Sequence, residues 1–102
     1  MHARVVWGKI SKGSWDEYRK FYAERIAPST ADMKGLRSRL LLRGMEDPYG
    51  GIAISFWDSF EEMDAYDKSE VRKANADGAR HLYAGDYGLE HFEVDFSSEP
   101  EP

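Results

Sequence analysis

The sequence contains no cysteine among its 102 residues. Disulfide bridges, thiolate nucleophiles and zinc sites with sulfur ligands are therefore excluded, and this composition fits a reducing cytoplasm. Positive charge is also scarce, since 14 Lys and Arg residues face 19 Asp and Glu residues and the net charge is −5. A protein that binds nucleic acid needs a basic face, so this balance argues against that function. We expect a cytoplasmic protein.

Long apolar runs are absent as well. No stretch approaches the length of a membrane span, and the N-terminal MHARVVWGKI lacks the apolar segment of a signal peptide, so we expect no membrane association. Hydrophobic residues nevertheless make up 41% of the chain, which is enough for one folded domain of this length. We assign that domain to residues 1–96. The polar, proline-containing tail SSEPEP, residues 97–102, is predicted to be disordered.

The hydrophobic pattern predicts four strands and two helices. The predicted strands are residues 2–10, 36–44, 51–57 and 91–96. The first helix is predicted to begin after Ser14, with Glu17 completing a capping box, and to end at Pro28. The second is predicted to begin at Asp58 or Ser59, with a break later in the helix. The order β-α-β-β-α-β is that of an α+β, ferredoxin-like split βαβ fold with a four-stranded antiparallel sheet.

Both faces of the predicted sheet are largely apolar. The third strand places Ile54 and Phe56 on one face and Ala53 and Trp57 on the other. A solvated face would carry polar residues at alternate positions, and the helices can cover only one face. We therefore expect a homodimer in which the two sheets pack against each other.

Several side chains are candidates for a small-molecule site. Trp57 is either a core residue or an aromatic wall for a planar substrate, and Trp7 faces either a cavity or the dimer core. Tyr66 and Tyr83 could donate a phenolic proton or simply pack. Asn75 lies on an apolar helix stripe, where an unpaired buried amide costs about 1–3 kcal/mol, so it bonds either the backbone or a substrate oxygen.

Charged candidates are fewer. His81 lies near a helix end and is either structural or a general base. With His91 and Glu93 it could imitate an iron site, but no known spacing supports this, and we predict no metal. Arg39 lies on the same face of the second predicted strand as two other arginines. It either pairs with an acidic residue or holds an anionic substrate. The other two are Arg37 and Arg43.

Three segments carry a resemblance to a known family: RVVWGKISKGSWDEY, DPYGGIAISFWDSFEEMDAYDKSE and HFEVDF. Together they resemble the antibiotic biosynthesis monooxygenase type domain of the dimeric α+β barrel superfamily. The resemblance spans nearly the whole chain except the tail. It implies a dimeric α+β barrel with a pocket between the sheet and the helices of each subunit, and Trp57 at the edge of that pocket.

The same resemblance implies two kinds of chemistry, because the family includes cofactor-free quinol and polyketide oxygenases as well as heme-degrading oxygenases. In the heme-degrading branch a Trp ends the third strand, an Asn lies on the first strand and a His on the second helix. This chain retains Trp57, has Asn75 or Ala76 at the His position, and has no Asn in residues 4–10.

We therefore expect a monooxygenase without cofactor, acting with dioxygen on a small hydrophobic, aromatic, quinol or polyketide-like substrate. The expected catalytic residues are Asn75, His81 and Tyr83. The expected substrate-binding residues are Trp57, Trp7, Arg39 and Tyr66. The alternatives are a heme-binding or heme-degrading protein and a non-catalytic dimer that binds a small molecule or has only a structural role.

Overall fold

The computed structural model describes residues 1–101. In this part of the chain the strands are β1 (His2–Lys9), β2 (Leu36–Arg43), β3 (Gly50–Trp57) and β4 (Gly88–Glu93). The helices are α1 (Trp15–Phe21), α2 (Ala27–Ser29), α3 (Phe60–Asp67) and α4 (Glu70–Ala79). A π-helical segment (Tyr22–Ile26) joins α1 to α2, and a 3-10 turn (Arg80–Leu82) follows α4. No helix among these residues is long and apolar enough to cross a membrane.

The four strands form one antiparallel sheet in the order β2-β3-β1-β4. The two central strands, β1 and β3, are neighbours although they are not consecutive in the chain, as a split βαβ arrangement requires. Both helical connections pack on the same face of the sheet. The predicted α+β ferredoxin-like fold with a four-stranded antiparallel sheet is confirmed.

The last strand lies three residues earlier than predicted, at Gly88–Glu93 rather than 91–96. Glycine and glutamate have low strand propensity, so the start of this strand carries no local signal. Pairing with β1 determines its position instead, since Gly88 lies opposite Trp7. A Cβ atom on Gly88 would come within 2.2 Å of the Trp7 ring, so only glycine allows that ring to lie so close to β4.

The first helical region also differs from the prediction. Pro28 lies within α2 rather than ending the helix before it. The predicted capping box is wrong, because Ser14 makes no side-chain hydrogen bond to the helix and its ψ of 4° is not the extended conformation of an N-cap. The box forms instead at Ser59, whose hydroxyl accepts the Glu62 N–H and bonds the Glu62 carboxylate.

The tail prediction concerns residues 97–102. Residues 97–101 have no regular secondary structure, and Pro102 lies outside the described residues. Disorder of this tail and the domain boundary at residue 96 stay predictions.

The core consists of two clusters on the helical side of the sheet. One joins the end of β1 to the helices and contains Ile10, Trp15, Tyr18, Ala79 and Leu82. The other packs α3 against the end of β3 and contains Trp57, Met63 and Tyr66. Trp57 is fully buried and stacks on Tyr66, with ring centroids 5.2 Å apart and an interplanar angle of 27°. A stacked aromatic pair of this kind adds about 0.5–1.5 kcal/mol to its burial.

The opposite face of the sheet, which we call the open face, is apolar. Its aligned side chains are Ala3, Val5, Trp7, Leu40, Leu42, Ile52, Ile54, Phe56 and Phe92. Two polar residues also lie on it: Glu90, which accepts a hydrogen bond from the Trp7 indole, and Ser38, which pairs with Phe56. Trp7 and Leu40 are nearly half exposed in the single chain. The predicted homodimer would cover this face, and the single chain does not test that prediction.

The Trp57–Tyr66 pair generates a stability prediction. Trp57→Ala should lower the free energy of unfolding by about 3–5 kcal/mol, because it removes a completely buried ring and leaves a cavity. Urea denaturation followed by circular dichroism measures this loss. Phe60→Ala is the control, because Phe60 is an aromatic residue of the adjacent helix but is half exposed and should cost less than about 1 kcal/mol. Equal losses in the two variants would contradict a core role for Trp57.

Candidate functional site

A cavity of about 70 Å³ lies between the helical face of the sheet and the helices. Its charged and polar lining residues are Arg4, Arg39, Arg72, Ser55 and Asn75. Its aromatic lining residues are Tyr18, Tyr22, Tyr66, Tyr83 and Tyr87. Its apolar lining residues are Val6, Ile26, Ala53, Ala76 and Ala79. The cavity therefore combines three arginines and five phenols, and no Asp, Glu or His residue lines it.

The sequence of β3 explains why there is a cavity at all. Along the helical face of that strand, small residues at 53 and 55 precede the bulky Trp57. Ala53 and Ser55 do not fill the space beneath the helices, whereas Trp57 fills it completely. The cavity thus ends where the second core cluster begins. The π-helical segment supplies Tyr22 and Ile26 to the opposite wall, and such segments often occur at functional sites.

Arg39 is the cavity arginine that has a buried nitrogen without a hydrogen-bond partner. Its Nε donates to the Thr30 hydroxyl at 3.1 Å and its Nη1 to the Tyr22 hydroxyl at 3.4 Å. Its Nη2 is buried and has no hydrogen-bond partner. Within residues 1–101 no carboxylate forms a salt bridge with it. A buried guanidinium nitrogen without an acceptor is costly, and a ligand oxygen would remove that cost.

The other two arginines share one acidic neighbour. Arg4 forms a buried ion pair with Asp67, and Arg72 donates from Nε to the backbone carbonyl of Asp67 at 3.0 Å. The Asp67 carboxylate also contacts His91 from the sheet edge. Asp67 therefore compensates Arg4 but does not reach Arg39, and the cavity keeps an excess of positive charge.

Tyr66 connects the cavity to the core. The Cζ atoms of Arg4 and Arg39 lie 5.1 and 5.3 Å from its ring centroid, within the range of a cation–π interaction. Trp57 stacks on the same ring and donates from Nε1 to the Ser55 hydroxyl at 2.9 Å. Trp57 thus orients two cavity-lining residues, Tyr66 and Ser55, without lining the cavity itself.

A pair of phenols forms the wall opposite the arginines. The hydroxyls of Tyr18 and Tyr83 are 3.2 Å apart. Burial raises the pKa of Tyr18 far above its usual range, and the neighbouring Tyr83 raises it further. Burial also raises the pKa of Tyr83, although the hydrogen bond with Tyr18 acts in the opposite direction. Both side chains are therefore neutral hydrogen-bond donors at physiological pH and not bases.

Asn75 lies on α4 and faces the end of the first helical region. Its Nδ2 donates to the Ser29 hydroxyl at 3.0 Å, which anchors the amide at the wall of the cavity. The partner of Asn75 is thus a side chain, whereas the sequence predicts either a backbone group or a substrate oxygen. An anchored amide at a cavity wall is suited to polarise a ligand oxygen.

The cavity brings together four of the seven predicted site residues: Arg39, Tyr66, Asn75 and Tyr83. Trp57 lies behind this site, and Trp7 lies on the open face of the sheet. His81 is on the surface, where its side chain is 66% exposed and its Nε2 is 3.7 Å from a Glu17 carboxylate oxygen. The structure therefore does not place His81 with the other two predicted catalytic residues.

The hypothetical iron site does not form. His91 contacts Asp67 on α3, whereas His81 lies beside Glu17 on α1. Among residues 1–101 no group of three or more His, Asp or Glu residues is arranged to hold a metal ion.

Sequence reasoning missed other lining residues although their signals were present. Strand alternation places Arg4 on the same face as Val6, and helical spacing places Arg72 one turn before Asn75. Helical spacing also places Tyr18 and Tyr22 on one apolar stripe of the first helix, which predicts core positions. Both are indeed buried, but their hydroxyls reach the cavity.

Comparison with solved structures shows the same fold in several proteins. A "putative antibiotic biosynthesis monooxygenase" of Deinococcus radiodurans is 17% identical, with all of both chains covered and a TM-score of 0.82. One of Bordetella bronchiseptica is 14% identical, with 93% of this chain and 97% of that chain covered and a TM-score of 0.81. The heme degrader MhuD of Mycobacterium tuberculosis, solved with two hemes bound in its active site, is 20% identical, with 97% and 100% covered and a TM-score of 0.79.

The search of curated proteins found no match to this sequence. A family model described as antibiotic biosynthesis monooxygenase matches residues 1–77, which contain β1 to β3, α1 to α3 and most of α4. This match extends over well more than half of the chain, and the chain belongs to the antibiotic biosynthesis monooxygenase family.

Proposed function

We propose that this protein is a cofactor-independent monooxygenase that acts with dioxygen on a small aromatic, quinol or polyketide-like substrate. The observation that carries the proposal is the lining of the cavity, where an arginine without a carboxylate partner faces neutral phenols and an anchored amide. Oriented donors of this kind stabilise negative charge on oxygen in a water-poor site. Cofactor-free oxygenation depends on such stabilisation, since the substrate anion must itself react with dioxygen.

The proposed oxygenation can be written for a substrate whose ring contains an acidic CH2 group. Loss of one proton gives a carbanion whose charge is delocalised onto the adjacent oxygen. The carbanion adds dioxygen and forms a carbon–oxygen bond, and protonation gives a hydroperoxide. Loss of water then leaves a new carbonyl, so one oxygen atom enters the substrate and the other leaves as water.

Each cavity residue has a distinct role in this proposal. Arg39 and Asn75 hold the substrate oxygen that carries the charge, and Tyr83 donates a hydrogen bond from the opposite wall. Tyr66 provides a ring against which a flat substrate packs. Trp57 is a positioning residue, because it orients Tyr66 and Ser55 from behind. His81 has no role here, since its side chain lies at the surface beside Glu17.

Heme is the alternative that the MhuD neighbour suggests, and the residues of this cavity do not fit it. None of the lining residues is His, Cys or Met, which are common axial ligands of heme iron. A tyrosinate ligand is disfavoured because burial raises the pKa of Tyr18 and Tyr83. We derive no step through heme.

We also propose that the protein is a homodimer formed through the open face of the sheet. Most residues of this face are apolar, and several of them are close to half exposed in the single chain. Exposed apolar patches of this extent mark interaction sites. A second copy presents the same surface, so one self-complementary contact would cover both faces. A cytoplasmic location remains a prediction from composition.

Oxygen consumption tests the proposed activity directly. With 1,8-dihydroxyanthrone or a substituted quinol in air, the protein should accelerate oxygen uptake, measured with an oxygen electrode. Arg39→Gln should lower kcat/KM by about 100-fold, as is typical when one donor to a developing oxyanion is lost. Arg37→Gln is the matched control on the same strand, because Arg37 pairs with Asp58 at the surface and should keep full activity. Equal activity in both variants would contradict the assigned role of Arg39.

A hemin titration tests the alternative. We expect no saturable shift of the Soret band when hemin is added to the purified protein, because the cavity offers no ordinary axial ligand. Ascorbate added under air should then cause no faster bleaching than with hemin alone. A saturable shift followed by protein-dependent bleaching would contradict the proposal and assign the protein to heme degradation.

The mass in solution tests the dimer. Light scattering after size-exclusion chromatography should give twice the chain mass of 11.7 kDa for the unmodified protein. Leu42→Asp places a charge in the open face and should shift the protein to monomer. Phe60→Asp, a charge on an exposed position of α3, should leave the dimer intact. A monomeric unmodified protein would exclude this interface.

A further inference from the structure

We propose that the cavity binds its substrate as a preformed organic anion, a phenolate or enolate whose charged oxygen is held by Arg39, and that the protein supplies no general base. This inference deepens the proposed function and rests on it for the reaction that follows. It concerns the state in which the substrate is bound, which can be measured without turnover.

The first argument is charge. Arg4, Arg39 and Arg72 line the cavity, and the carboxylate of Asp67 forms an ion pair with Arg4 alone. Arg72 contacts only the backbone carbonyl of Asp67. A cavity with this excess of positive charge attracts an anion and disfavours a cation, even though the whole chain carries a net charge of −5.

The second argument is the incomplete coordination of Arg39. Two of its nitrogens donate to neutral hydroxyls, those of Thr30 and Tyr22, and Nη2 donates to nothing. A guanidinium prefers a charged planar acceptor, which it binds through two parallel hydrogen bonds.

The third argument is the lack of a proton acceptor. The lining contains no His, Asp or Glu residue. The phenols of Tyr18 and Tyr83 have raised pKa values, so deprotonated tyrosine is not available near pH 7. Arginine and amide side chains do not accept protons at this pH. The proton of the substrate must therefore be lost to water, before the substrate enters the closed part of the cavity.

This constraint selects the chemical class of the substrate. A simple phenol has a pKa near that of tyrosine, about 10, and is almost entirely neutral at pH 7. Phenols conjugated with a carbonyl group, and enols of 1,3-dicarbonyl compounds, are more acidic and supply the anion themselves. The cavity should therefore accept acidic aromatic or polyketide-like enols and discriminate against neutral rings of the same shape.

The ionisation of a bound probe tests the proposal. 4-Nitrophenol ionises near neutral pH, and its phenolate absorbs visible light, so absorbance reports its pKa in the presence of excess protein. A cation beside an oxygen acid lowers its pKa by about 1–3 units, and we expect a decrease of at least about one unit on binding. 4-Nitroanisole has nearly the same shape and no acidic proton, and should bind at least about tenfold more weakly at pH 8, in line with that shift.

Three variants test which arginine causes the pKa shift of the bound probe. Arg39→Gln should abolish the pKa shift and weaken phenolate binding about tenfold. Arg39→Lys retains the charge without the planar fork and should preserve part of the shift. Arg37→Gln should bind the probe as the unmodified protein does, because Arg37 lies outside the cavity.

The results separate this inference from the proposed activity. Equal binding of 4-nitrophenol and 4-nitroanisole to the unmodified protein, or no binding of either, overturns the inference whether or not the variants fold. A shift that persists in Arg39→Gln overturns the role of Arg39. A shift that depends on Arg39, with no oxygen uptake on any quinol or anthrone, supports the anion site and overturns the monooxygenase.

Discussion

The cavity depends on the contact between Trp57 and Tyr66. Trp57 is completely buried at the end of β3 and stacks on the ring of Tyr66, while its indole nitrogen binds Ser55 on the same strand. Both partners line the cavity. The Tyr66 ring in turn lies within cation–π range of Arg4 and Arg39. Trp57 therefore orients Ser55 and Tyr66 directly, and through the Tyr66 ring it supports the positions of the two arginines. Trp57 itself does not line the cavity.

This arrangement also reconciles two roles that sequence alone leaves open for Trp57. A core residue and a residue required for function are not alternatives when the core contact determines the shape of the cavity. Stability and binding should then respond differently to the same substitution. A smaller aromatic residue at this position keeps a ring against Tyr66 but loses the hydrogen bond to Ser55. The free energy of ligand binding should therefore change more than the free energy of unfolding.

The fold was predictable because its signals are local and regular. Runs of β-branched and aromatic residues identify β1 and β3, and Ser59 and Ser69 mark the starts of α3 and α4, where each accepts a backbone N–H. The position of β4 was not predictable in this way. It begins at Gly88, and its register follows from pairing with β1 and from the close approach of the Trp7 ring, which are contacts distant in sequence.

The site was predictable only in part, for a related reason. Four predicted site residues, Arg39, Tyr66, Asn75 and Tyr83, line the cavity. The first three follow from strand or helix periodicity, whereas Tyr83 lies in extended conformation after the 3-10 turn. Periodicity does not tell whether a hydroxyl at a buried position points into the core or into a cavity, so it predicts packing for Tyr18 and Tyr22 but not their place in the cavity lining. It also does not reveal ion pairs between elements, and the pairing of Arg4 with Asp67 leaves Arg39 and Arg72 as the lining cations without a carboxylate partner.

Two arginines of the cavity differ in how the protein compensates their charges. Arg4 and Arg39 flank the same ring at nearly equal distances, yet only Arg4 has its charge balanced by the protein. A cavity in which every cation were paired would bind neutral rings by packing alone. Arg39 and Arg72 have no carboxylate counterion, which in the proposed anion site would make the acidity of the ligand part of the recognition. The pH dependence of binding should then follow the ionisation of the ligand and not that of a protein side chain.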